Sequence, residues 1–88
     1  MIAMEVMGVQ EVLPSDTPVV LLREAEGERM LPIFIGLPEA KSIGLAMAGQ
    51  DPPRPMTHDL IATLLETFSV AVEQVVVTEI RERTFFAE

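Results

Sequence analysis

The stretch Val19–Gly49, VVLLREAEGERMLPIFIGLPEAKSIGLAMAG, carries the change of texture on which the fold turns. Its opening, Val19 to Ala25, is β-branched and apolar at the start, which predicts a strand. Glu26-Gly27-Glu28 is a charged turn around glycine, suited to a hairpin. Arg29 to Gly36, RMLPIFIG, predicts the returning strand, and Pro32 removes one ladder donor, which places it at an edge or a bulge. The remainder, LPEAKSIGLAMAG, opens with a proline and ends with a glycine, the asymmetry of a helix. Ala40, Ile43, Gly44 and Met47 follow the i, i+3, i+4, i+7 stripe. Gly44 and Ala48 are small and one turn apart, open to close backbone approach, and Leu45 lies off the stripe as a candidate interface residue.

Outward from this stretch the pattern continues. Residues 2–13, IAMEVMGVQEVL, partly alternate, with Ile2, Met4 and Val6 on one face, and predict an N-terminal strand. PSDTP at 14–18 predicts a turn, so three strands form an antiparallel meander. QDPPRP, 50–55, fits neither a helix nor a central strand. It leads into THDLIATLLETFS, where Thr57 is the expected N-cap and Leu60, Ile61, Leu64, Leu65 and Phe68 form one apolar stripe. Val70 to Glu82 predicts a strand and RTFFAE starts another. Strands and helices are segregated, which predicts α+β: a mainly antiparallel β-sheet with two helices packed on it. Polar substitution at Ile43 or Leu64 is expected to destabilise it. The expected unit is a single domain over 1–88. No polar tail follows Phe86, so that domain is expected to be incomplete at its C-terminus.

Composition narrows the classes of function. Eighty-eight residues make one small domain, which buries somewhat under ~70% of its unfolded surface. A hydrophobic fraction of 49% is generous for that size, and the spare apolar surface favours a homo-oligomer. The absence of cysteine excludes a disulfide scaffold and a thiolate metal site. No apolar run approaches the ~18 residues of a membrane span, and MIAMEVMGVQEV lacks the basic start of a signal peptide. The expectation is a cytoplasmic protein with no membrane association. The net charge of −8 leaves six scattered bases: Arg23, Arg29, Lys41, Arg54, Arg81 and Arg83. No basic stripe exists to track phosphates. A divalent cation would reconcile this acidity with a phosphate substrate.

Three segments, LPIFIGLPEAKSIGLAMAG (31–49), PPRPMTHDL (52–60) and VVVTEIRERTFFAE (75–88), occur in the order and spacing of a known family. In them the chain resembles the bifunctional nuclease family. The resemblance runs over essentially the whole chain and is most specific where the prolines lead into Thr-His-Asp. It implies an α+β domain, nuclease activity on DNA and RNA in some members, and oligomeric assembly. The family pattern continues beyond residue 88 with more strand and a further helix. Ser69 departs from it, standing where a glycine would usually end the second helix.

The residues that could carry such chemistry gather at the second helix. A helix start presents free N–H groups and a partial positive charge, which suits a phosphate. Thr57 at that start and Arg54, a bidentate donor, are the expected substrate-binding residues. His58, as an imidazole, is a candidate general acid or base. Asp59, with Glu39 from the first helix, is a candidate ligand pair for Mg²⁺ or another divalent metal that activates water. His58, Asp59 and Glu39 are thus the candidate catalytic set. On a helical wheel His58 borders the apolar stripe while Asp59 lies nearly opposite. The same residues have a structural explanation, since acids in a first turn are favoured by the helix dipole. Two classes therefore stand open: a metal-assisted nuclease hydrolysing DNA or RNA phosphodiesters, and a non-catalytic oligomeric assembly or regulatory module.

Overall fold

The computed structural model describes residues 1–12 and 16–88. The order of elements is β1 (Met4–Val12), β2 (Thr17–Glu24), β3 (Met30–Phe34), α1 (Leu37–Met47), α2 (Thr57–Thr67), β4 (Val77–Arg81) and β5 (Thr84–Ala87). The five strands lie in two antiparallel sheets, so the α+β expectation holds, with the strands divided between a three-stranded and a two-stranded sheet. The turn expected at 14–18 falls partly outside the described residues, and Thr17 and Pro18 already belong to β2.

The chain divides into two compact units, Met1–His58 and Asp59–Glu88. In the first, β2 is the central strand of the order β1-β2-β3, and α1 packs against β1 and β2. The burial follows this position: Val19 and Val20 on β2 are 2% and 8% exposed. Val20 lies between Val9 and Ile33, and Leu22 between Val6 and Leu31, which makes one face of the sheet continuously apolar. Pro32 sits on β3, an edge strand, where its missing donor costs no internal ladder bond. The β2–β3 connection is pinned by the Glu24 and Arg29 side chains, which form an ion pair across the turn.

On α1 the covered residues differ from the expected stripe. Ala40, Ser42, Ile43 and Leu45 are half-buried, whereas Met47 is 52% exposed. Leu45 is thus partly covered within the chain. The covered positions lie in the middle of the helix, between an exposed Leu37 and an exposed Met47, so its contact with the strands is short.

The second unit holds most of α2 and the β4–β5 hairpin. The expected strand over 70–82 is corrected to Val77–Arg81, and residues 70–76 are not strand. β-Branched composition makes a strand only where a ladder partner exists. Here the partner is β5, and the pairing ends where Val76 and Glu88 exchange backbone hydrogen bonds of 2.8 and 2.9 Å. The loop between the strands is Glu82-Arg83, with φ of 47° and 67°. That is the geometry of a type I′ turn, made here without glycine or asparagine. The apolar stripe of α2 is also corrected: Leu64 is 47% and Phe68 72% exposed. Amphipathicity identifies the helix, but Leu64 is not a core residue of the described chain. Among the described residues no helix is long and apolar enough to cross a membrane.

Both helices end in the same backbone motif. Gly49 donates to the Ala46 carbonyl and Gln50 to that of Leu45; Ser69 donates to Glu66 and Val70 to Leu65. Each motif requires a left-handed residue, Gly49 at φ 67° and Ser69 at φ 57°. A side chain in this region costs roughly 1–2 kcal/mol, which glycine avoids. Ser69→Gly is therefore expected to raise stability by about 0.5–1 kcal/mol after its larger unfolded-state entropy is counted. Gly49→Ala is expected to lower it by about 1 kcal/mol. Urea unfolding midpoints of the two variants check both signs.

Candidate functional site

The segment from Asp51 to Met56 carries prolines at 52, 53 and 55, which fix φ and remove backbone donors. It bends at Pro53-Arg54 and delivers the chain to α2. Arg54 is exposed there and makes no ion pair among the described residues. By contrast Arg81 is held by Glu79 at 3.1 Å and lies 4.2 Å over the Phe86 ring. This charged and aromatic face of the β4–β5 hairpin escapes sequence reasoning. Its only local signal is the alternation of Glu79, Arg81, Thr84 and Phe86, and the pairing register is what brings them together.

The helix α2 begins at Thr57 itself. Thr57, the expected N-cap, thus stands at the helix boundary, directly after the constrained approach through Pro55 and Met56. Thr57 is exposed, while His58 and Asp59 are both half-buried. Asp59 occupies the first turn, where the helix dipole favours a carboxylate. The Nδ1 atom of His58 is fully covered and has no hydrogen-bond partner among the described residues.

Glu39 occupies the first turn of α1. Its carboxylate folds back over Gly36, so closely that a Cβ at Gly36 would collide with it. The small residue at 36 and the carboxylate at 39 thus fit one another at the positive end of α1. Thr57, His58 and Asp59 share one helical turn, with Arg54 on the approach to it, whereas Glu39 stands on a different helix. Among the described residues no three histidine, aspartate or glutamate side chains form a group that could hold a metal ion. The carboxylates are nevertheless hard oxygen donors of the kind Mg²⁺ accepts, and Mg²⁺ is commonly held by one or two of them together with waters and substrate phosphates.

Comparison with known proteins adds a family. The sequence model of the bifunctional nuclease domain matches residues 20–88. Uncharacterized proteins from two strains of Mycobacterium tuberculosis are each 45% identical to this chain over 83 residues. The alignment covers 94% of this chain and 51% of each relative, so the chain spans about half the length of the curated relatives it matches. The matched region contains the proline-rich approach, all of α2 and both helix starts.

Proposed function

From the premise that the chain belongs to the bifunctional nuclease domain family, we propose that it hydrolyses phosphodiester bonds of DNA or RNA. The family match over 20–88 carries this reading, and the first turn of α2 offers the chemistry. Arg54 and the positive end of α2 at Thr57 take the phosphate. His58 exchanges a proton or a hydrogen bond with a reacting oxygen. Asp59 would be a ligand of Mg²⁺ or a similar divalent ion, with Glu39 the other candidate carboxylate; when bound, the ion supplies charge neutralisation and an acidified water.

The test uses purified protein, labelled single-stranded and duplex substrates, and buffers with and without Mg²⁺. Mg²⁺-dependent hydrolysis is expected to follow the protein through successive purification steps. Asp59→Ala is expected to lose both hydrolysis and any Mg²⁺-induced rise in melting temperature. Undiminished hydrolysis in that variant, or hydrolysis that fractionates away from the protein, overturns the reading.

A second reading rests on a different observation. Leu60, Ile61 and Leu64 on α2, and Phe68 just after it, are all exposed, and an exposed apolar stripe of this kind marks a surface for association. On this reading the domain is a non-catalytic homo-oligomeric module. Light scattering showing an oligomer, with neither hydrolysis nor a metal-dependent thermal shift, favours it over the nuclease.

A further inference from the structure

The His58 ring is the most informative group in the molecule. Of its two nitrogens, Nδ1 is covered and without a partner among the described residues, while the side chain as a whole keeps partial exposure. A neutral imidazole carries one proton, and the two nitrogens compete for it. Placing it on Nδ1 would bury an N–H donor with no acceptor, the rarer and costlier kind of unsatisfied group. Placing it on Nε2 leaves a lone pair at Nδ1 and gives the N–H to the accessible side of the ring.

We infer that His58 is held as the Nε2–H tautomer, so that in its neutral form it offers the substrate a hydrogen-bond donor and not a base. Its natural target is a phosphate oxygen that gains charge in the transition state, where a preoriented neutral donor stabilises the developing anion. This rests on the nuclease reading for its substrate and deepens it, since His58 is narrowed from acid or base to donor. The tautomer itself is a property of the free protein.

His58 is the sole histidine of the chain, so long-range proton–nitrogen correlation on ¹⁵N-labelled protein reports it without overlap. The spectrum is recorded where the ring shifts no longer change with pH, which marks the neutral form. A pyrrole-type Nε2 and a pyridine-type Nδ1 are expected. A pyrrole-type Nδ1, or two nitrogens averaged to intermediate shifts, overturns the inference even if the protein proves to be a nuclease. Failure of hydrolysis, with the Nε2–H pattern observed, removes the nuclease reading and leaves the tautomer standing. Side-chain mimicry supplies a second readout through binding of a single-stranded oligonucleotide. His58→Gln places an amide N–H near Nε2 and is expected to keep affinity within about threefold, while His58→Asn, whose amide sits nearer Nδ1, is expected to lose about tenfold. Equal loss in both variants counts against a donor at Nε2.

Discussion

A chain carrying Val19→Asp is expected to lose the cooperative unfolding transition of its three-stranded sheet. Val19 is 2% exposed and stands on the central strand, opposite Gln10 on β1 and Phe34 on β3. Neither ladder partner is a cation, so an aspartate there is buried without compensation. Such a group costs several kcal/mol whether it stays ionised or takes up a proton. A domain of this size is stable by about 4–13 kcal/mol in all, and a loss of about 4 kcal/mol is then a large part of the whole. Val19→Ala isolates the packing component and is expected to cost about 2 kcal/mol. Far-UV circular dichroism in urea measures both. Leu64→Ser is the comparator: its side chain is 47% exposed, and the expected cost is under about 1 kcal/mol. If Leu64→Ser unfolds the protein more readily than Val19→Asp, the core has been placed wrongly.

The second large effect concerns hydrolysis. His58→Ala is expected to lower kcat/KM by about 10²–10³, the cost of removing one donor aimed at developing charge. The substitution removes a half-buried ring whose Nδ1 is unpartnered, so the urea midpoint is expected to change little. Activity and stability are thereby separated: a variant that is folded and inactive supports a role in the reaction. A variant that keeps wild-type kcat/KM removes His58 from it. The size of the loss also distinguishes His58 from Arg54. Removing a phosphate contact made equally in ground and transition states raises KM and leaves kcat nearly unchanged.

Much of the fold was legible because local chemistry and register agree. The β2–turn–β3–α1 succession follows from β-branched alternation, a glycine turn and a helix bounded by proline and glycine. Pro32 indicated an edge or a bulge at β3, and the sheet order gives the edge. What escaped depends on partners that lie far along the chain. Val70 to Val76 have the composition of a strand but no ladder opposite them. The stripe on α2 states that a helix forms there, and says nothing of what covers Leu64. Leu45 was assigned by the wheel to the outside, whereas it is half-buried in the folded chain.

The candidate site divides in the same way. That Thr57, His58 and Asp59 open a helix could be read from the prolines and the apolar stripe behind them. The exact boundary of the helix could not, because it depends on backbone geometry that side-chain patterning does not specify. The covered state of Nδ1 was likewise out of reach, since it depends on how the ring rotates against its surroundings. Ser69 is an instructive case. Its departure from glycine is visible in the sequence, and the structure shows that the left-handed geometry is kept regardless, at φ 57°.

One irregularity in β1 bears on how this chain can change length. Val6 pairs with Leu22 and Gly8 with Leu21, so Met7 has no counterpart on β2. This bulge places Val6 and Val9 on the same face although they are an odd three positions apart, and Gly8 accommodates it at φ 153°, where other residues are strained. It also explains why alternation along residues 2–13 is only partial. Elsewhere in β1 the loss of one residue would turn every later side chain to the opposite face. Removing Met7 would instead delete the one residue the ladder does not use, leaving Met4–Val6 and Gly8–Val12 in their present pairings. The strand thus contains its own point of tolerance, where a single-residue deletion is absorbed without inverting the sheet.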